Sequence, residues 1–240
     1  MTEPNPVPGP VALVGSGEYL PQMAAVEGGL LEGRPARYVQ LATAAVPDGP
    51  EVVARWHDLG RAQAERLGVE AVIVPVANRA DAQDPAMAAL VEGAGLVYLS
   101  GGDPHFLADT LRDTLVWRAI EAAWREGAAL AGCSAGAMAL GAWIPSIRHP
   151  QRAATAGLSL FGRLGVIPHF DAFGRWVPDF LTRMVLPGED AVTVLGIDEE
   201  TALVGGPSAW RVEGRASVWR LNTARREQWP AGTAVELALA

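Results

Sequence analysis

Short apolar runs that alternate with longer amphipathic segments constrain this chain more than any other feature. Val11 to Val14, Tyr38 to Leu41, Val69 to Val76, Leu96 to Leu99 and Ala128 to Gly132 are rich in aliphatic residues at odd and even positions alike. Strands buried on both faces of a parallel sheet have this character. Between them, Glu51 to Leu67 repeats Val53, Trp56, Gly60, Ala64 and Leu67 at helical spacing, opposite Glu51, Arg55, Asp58 and Arg61. Pro104 to Arg125 repeats Leu107, Leu111, Leu115 and Ala119 in the same way, with Pro104 suited to a first helical turn. The alternation predicts an α/β fold built on a doubly wound, mostly parallel sheet flanked by helices. Beyond Leu140 the pattern loosens. Ala142 to Gly165, rich in Gly, Pro, Ser and Arg, is expected to be a long loop or flap. A helix is expected over Arg175 to Leu186. Val192 to Ile197, Thr201 to Val204 and Ala216 to Leu221 are expected to close the sheet as strands of antiparallel character. The prolines at 4, 6, 8 and 10 mark residues 1–10 as a flexible arm, and residues 11–240 read as a single domain without repeat or linker.

Composition narrows the chemistry. Half of the 240 residues are apolar, enough for a core that needs neither disulfide nor structural metal. The net charge of −8 argues against nucleic acid or an anionic membrane as principal partner. All 19 basic residues are arginine, so Schiff-base chemistry, pyridoxal phosphate anchoring and the phosphate-loop lysine are excluded. The single cysteine, Cys133, excludes an intramolecular disulfide and any multi-cysteine metal site. Gly127 to Ile147 carries no charge, but its glycines, serines and proline place turn chemistry where a membrane span would need an unbroken helix. No basic region precedes an apolar stretch near the N-terminus. The expectation is a cytoplasmic protein, monomeric or homodimeric, with no metal or organic cofactor.

The strongest chemical signal is Gly132-Cys133-Ser134-Ala135-Gly136, directly after one apolar run and directly before an alanine-rich helical stretch. A Gly-x-Ser-x-Gly turn between strand and helix holds its serine at the sheet edge with helix amides behind it, which suits a nucleophile. Cys133 lies one position off the apex and reads as a small buried side chain. A serine needs a base, and of His57, His105, His149 and His169 the last is favoured because it ends the apolar run Val166-Ile167-Pro168. No Asp or Glu lies between Ser134 and His169, so an orienting acid must come from elsewhere: Asp171, or one of Asp198, Glu199 and Glu200. Adjacent strand residues point oppositely, so only one of Asp198 and Glu199 can face the imidazole. Ser100-Gly101-Gly102-Asp103 ends another run and opens a helix, so Gly102 can donate an oxyanion-binding amide beside Ala135. Asp103, His105 and Asp171 near this rim, with Arg175, are candidate substrate contacts. Gly15-Ser16-Gly17 lacks the third glycine of a dinucleotide fingerprint, having Leu20 in its place.

Taken together, Ser-Gly-Gly-Asp before a helix, Gly-x-Ser-Ala-Gly-Ala after a strand, Pro-His-Phe, and Gly-Ile-Asp-Glu-x-Thr-Ala-Leu resemble the dipeptidase E and cyanophycinase family of serine peptidases. The resemblance spans about Val11 to Val204. It implies a class I glutamine amidotransferase-like, flavodoxin-like α/β fold and peptide hydrolysis through an acyl-enzyme. It implies Ser134 as nucleophile, His169 as base, Gly102 and Ala135 as oxyanion donors and, by similarity to cyanophycinase, Glu199 as the acid. Dipeptidase E takes its acid from an aspartate shortly after the serine, and this chain has none there. Where cyanophycinases carry an arginine-rich run, this chain has Asp171-Ala172-Phe173-Gly174-Arg175-Trp176. The implied activity is a serine exopeptidase that releases an N-terminal residue from short peptides, with a preference for aspartyl residues if Arg148, Arg152 or Arg175 reaches the site. Alternatives are hydrolysis of β-aspartyl-arginine peptides, with Asp103, Asp171 or Glu18 pairing with cationic groups, a thiol hydrolase using Cys133, and a non-catalytic binding module.

Overall fold

The computed structural model describes residues 7–146, 153–172, 193–221 and 226–239. In chain order the elements are β1 (Val11–Val14), α1 (Ala24–Leu31), β2 (Arg37–Leu41), α2 (Pro50–Leu67), β3 (Glu70–Ile73), α3 (Arg79–Ala82), α4 (Pro85–Ala89), β4 (Leu96–Leu99), α5 (Pro104–Leu111), α6 (Leu115–Arg125), β5 (Ala129–Cys133), α7 (Ala135–Leu140) and β6 (Gly141–Ile144). There follow β7 (Thr155–Ala156), β8 (Phe161–Ile167), β9 (Thr193–Ile197), β10 (Thr201–Gly205), β11 (Ala209–Gly214), β12 (Ser217–Leu221), β13 (Arg226–Pro230) and β14 (Ala234–Glu236).

The early apolar runs form a parallel core in the order β1-β5-β4-β2-β3, with β10, β11 and β14 added antiparallel beside β1. Every residue of β1, β4 and β5 is buried. That is why their sequences lack the alternation of a half-exposed strand. Odd positions of β1 (Val11, Leu13) join a core with α5, α6 and α7, whereas Ala12 and Val14 face Val26 and Leu30 of α1. Because β5 lies between β1 and β4, the loops leaving the carboxyl ends of these three strands emerge side by side, the usual place for a site in an open α/β sheet. Among the described residues no helix is long and apolar enough to cross a membrane.

Four expectations change in detail. Residues 142–165 are not simply a flap: β6, β7 and β8 belong to a second sheet of order β13-β12-β9-β8-β6-β7. Gly157 there serves close backbone approach, since a Cβ on it would meet Gly141 O at 1.9 Å. Of the three late strands, only β10 extends the first sheet. β9 and β12 pair with each other in the second, whose Leu164, Val166, Leu195 and Val218 share the core of Leu13 and Leu130. The helical pattern from Pro104 to Arg125 is two helices, broken at Asp113 (φ 61°). Thr114 restarts it, accepting a hydrogen bond from Trp117 N through its hydroxyl. Gly9 and Pro10, assigned above to the flexible arm, are held against the body. Gly9 N donates to Trp124 O, Trp124 Nε1 donates to Gly9 O, and Leu130 N donates to Pro10 O. The helix expected over 175–186 lies outside the described residues.

Beneath the site lies a buried polar cluster. Gln40 Nε2 donates to the Tyr19 and Ser100 hydroxyls, and Tyr38 O–H donates to Glu27 Oε2 at 2.8 Å. Glu27 is 2% exposed, and burial pushes its carboxyl up to about 7 despite the Tyr38 hydrogen bond. Between its ordinary value near 4.5 and about 7 the folded chain therefore holds a proton that the unfolded chain has released. This group favours folding fully below that window and loses its contribution as pH rises through it, by up to about 3 kcal/mol. Denaturant titrations at pH 5 and pH 8 should show the wild type losing more stability across this range than Glu27→Gln. Identical pH profiles for the two proteins would contradict this account.

Candidate active site

Ser134 sits between β5 and α7 with φ 51° and ψ −107°, a backbone conformation that costs about 1–3 kcal/mol for a residue with a side chain. Its surroundings enforce it. A Cβ on Gly132 would meet Gly136 C at 2.5 Å, and one on Gly136 would meet Leu99 O at 2.2 Å. The turn closes only because both flanking positions are glycine. Ser134 N donates to Val14 O at 2.9 Å, and Met138 N donates to Ser134 O at 3.0 Å, fixing the residue to β1 and to its own helix.

His169 and Glu199 reach this serine through the second sheet. β8 and β9 run parallel with Ile167 opposite Gly196, so the residues just beyond each strand leave from the same edge. Ser134 Oγ lies 3.0 Å from His169 Nε2, and His169 Nδ1 lies 2.9 Å from Glu199 Oε1. An ionised carboxylate only accepts, so Nδ1–H donates to Glu199 and Nε2 is left to accept the serine hydroxyl. Both side chains keep partial access to solvent, at 43% and 38%. Asp171 is engaged elsewhere: its Oδ1 accepts a hydrogen bond from Glu199 N at 2.9 Å. Asp198 points away from the imidazole, accepting from Ser217 N and Trp219 Nε1, and burial raises its carboxyl above the usual range.

The Asp198–Thr201 turn that carries Glu199 is itself tied to the end of β1. Gly15 N donates to Thr201 O and Glu200 N donates to Ser16 O. Three consecutive residues, Val14, Gly15 and Ser16, thus hold both the serine turn and the glutamate turn.

Gly102 has φ 138°, and a Cβ there would meet Ala44 O at 2.2 Å, so only glycine fits. Neither its amide nor that of Ala135 donates a hydrogen bond among the described residues. Asp103, expected as a substrate contact, is the cap of α5: its Oδ1 accepts from His105 N and Phe106 N. His105 Nδ1 lies 2.6 Å from Thr155 Oγ1, which joins the start of α5 to β7. Arg175 lies outside the described residues, as do Arg148, Arg152 and His149. Cys133 is fully buried and donates its S–H to Glu18 Oε2 at 2.8 Å. Burial first, and then the Glu18 charge, push its thiol well above the usual range, which removes thiolate character. Among the described residues no group of three or more His, Cys, Asp or Glu side chains is placed to hold a metal ion. Glu18 is the one residue at the serine turn to which sequence reasoning gave too little weight. The signal was a lone acid after β1's glycine-rich turn.

The model of Peptidase family S51 matches residues 43–208 of the chain. The chain belongs to peptidase family S51. Curated relatives include the cyanophycinases of Synechococcus elongatus and Thermosynechococcus vestitus (strain NIES-2133 / IAM M-273 / BP-1), each 31% identical over 182 residues. The match takes in 70% of this chain but 54% of each relative, so the chain spans about half their length. Among solved structures, a peptidase from an acI-B1 Actinobacterium is 41% identical with a TM-score of 0.89, covering 97% of this chain and 98% of that one. A putative peptidase E protein from Listeria monocytogenes EGD-e has a TM-score of 0.58 at 15% identity, covering 94% and 100% of the two chains. It shares the fold. Gly136→Ala tests the packing of the turn: the added methyl strikes the Leu99 carbonyl, and we expect a loss of about 2–4 kcal/mol or more in urea denaturation. Unchanged stability would mean that the turn relaxes freely.

Proposed function

We propose that this chain is a serine peptidase that hydrolyses short peptides through Ser134, His169 and Glu199, releasing the N-terminal residue. The observation that carries the reading is the unbroken contact from hydroxyl to imidazole to carboxylate, 3.0 Å and 2.9 Å long, at the edge of the sheet. His169 takes the Ser134 proton as the hydroxyl attacks the peptide carbonyl, and Glu199 holds the ring in the tautomer this requires and stabilises the imidazolium. The Gly102 and Ala135 amides, which have no other partner among the described residues, bind the oxyanion, Ala135 with the positive end of α7 behind it. His169 then protonates the leaving amine, and water, deprotonated by the same imidazole, releases the acid. Asp171 supports the acid indirectly, by holding the Glu199 backbone.

A second reading is favoured by the cyanophycinase relatives: hydrolysis of β-aspartyl-arginine peptides by the same three residues. Rates on α-aspartyl, neutral and β-aspartyl-arginine peptides separate the two. The preferred class is expected to exceed the others by at least about 100-fold in kcat/KM.

Ser134→Ala is expected to lower kcat by at least about 10^4-fold while leaving the fold intact, and a fluorophosphonate should label the wild type at Ser134 alone. Full activity in that variant would remove Ser134 as the nucleophile, whereas tight ligand binding without labelling or turnover would turn the reading towards a binding module. Glu199→Gln should cost about 10^3 to 10^4-fold in kcat, and Asp171→Asn about 10-fold. The reverse order would assign the acid to Asp171.

A further inference from the structure

Glu18 lies in the loop after β1, beside the serine turn. Its Oε1 accepts a hydrogen bond from Gly101 N at 3.0 Å and its Oε2 accepts from Cys133 Sγ at 2.8 Å. Both donors are neutral. Among the described residues no arginine or histidine forms an ion pair with this carboxylate. A brace between two loops would need only a neutral acceptor. A carboxylate so near a developing oxyanion repels it, unless the substrate brings a cation.

The geometry says where that cation would sit. A Cβ on Gly101 would stand 2.7 Å from Glu18 Oε1 and 3.5 Å from Ser134 Cβ. Laid end to end, these distances place the carboxylate oxygen no more than about 6 Å from the serine side chain. Gly101 puts no side chain between them. In a peptide with a free amino terminus the ammonium nitrogen is two bonds, roughly 2.5 Å, from the first carbonyl carbon. With Ser134 Oγ on that carbon, a separation of about 6 Å between the serine side chain and Glu18 Oε1 leaves room for the ammonium to lie between them. An internal peptide bond presents an uncharged amide at the same place. The other acids near the rim are occupied: Asp103 caps α5, Asp171 holds Glu199 N, and Glu199 faces His169.

Resting on the peptidase reading above, we propose that Glu18 binds the α-ammonium group of the substrate and confines cleavage to the first peptide bond. The residue then determines specificity: it discriminates against any acyl group that lacks a positive charge next to the scissile carbonyl.

The test compares the best aminoacyl p-nitroanilide in a panel with its N-acetyl derivative. The wild type is expected to favour the free amine by about 100-fold or more in kcat/KM. Glu18→Gln keeps an acceptor for Gly101 N but no charge. It should lower kcat/KM for the free amine by at least about 30-fold and leave the acetylated compound within about 3-fold, so that the preference collapses. Glu18→Asp, which keeps the charge, should retain part of the preference and serves if the glutamine variant does not fold. Equal losses on both substrates would make Glu18 a brace of the serine turn only and overturn the proposal, as would a wild type indifferent to acetylation. Fluorophosphonate labelling of Ser134 keeps the two failures apart. A wild type that is neither labelled nor active removes the peptidase reading itself, whereas a labelled, active Glu18→Gln protein with unchanged preference removes only the role of Glu18.

Discussion

The end of β1 is the reference against which the whole site is built. Val14 O receives the amide of Ser134, Gly15 N reaches Thr201 O, and Ser16 O receives Glu200 N. Hydroxyl and carboxylate, 65 positions apart, are therefore fixed to three consecutive residues at and just beyond the end of one buried strand. Backbone bonds in a dry core are the stiffest way to hold such groups, because an unmade bond there costs the full desolvation of the donor. The imidazole comes from the other side, carried by β8, and its position depends on how the second sheet packs against α7 and the first sheet. The core shared by Leu164, Val166, Leu195 and Leu13 provides that coupling.

Strain and polarity are concentrated at the same place. Ser134 keeps a backbone conformation that only a rigid frame can hold, and a layer of buried tyrosines, Gln40, Ser100 and Glu27 lies beneath it. Tyr38 stacks on Tyr98 with ring centres 5.8 Å apart, and Tyr19 bonds Ser100, the residue that precedes Gly101. Hydrogen bonds thus lock the loop after β4 from behind, and Glu18 holds it from the side. A carboxyl such as Glu27 in this layer opposes folding when charged, so part of the stability of the frame depends on protonation.

Much of this was legible in the sequence for identifiable reasons. Strands buried on both faces announce themselves as aliphatic runs, and the serine turn does so because sterics leave no alternative to glycine at 132 and 136. The second sheet was hidden. Gly141 in β6 permits close backbone contact and Gly165 in β8 makes room for the Trp143 ring, and in a sequence such glycines look like loop formers. The break at Asp113 was hidden too, because the leucine spacing continues across it while Thr114 starts a new helix in nearly the same phase. Alternation showed that only one of Asp198 and Glu199 could face the imidazole, but not which, since that depends on Ser217 and Trp219 of a strand arriving later in the chain. In Glu27 the clue was a single acid inside the apolar stretch from Met23 to Leu31.

The turn joining the two sheets has a consequence for how such a chain can evolve. Asp198 and Glu199 are neighbours with opposite duties, one clamped to a tryptophan ring and the other turned towards an imidazole. Inserting or deleting one residue here would shift both acids off the partners that hold them, Asp198 from Trp219 and Glu199 from His169. The segment can accept changes of spelling but not of length, and drift in this lineage should be recorded in loops that lie elsewhere.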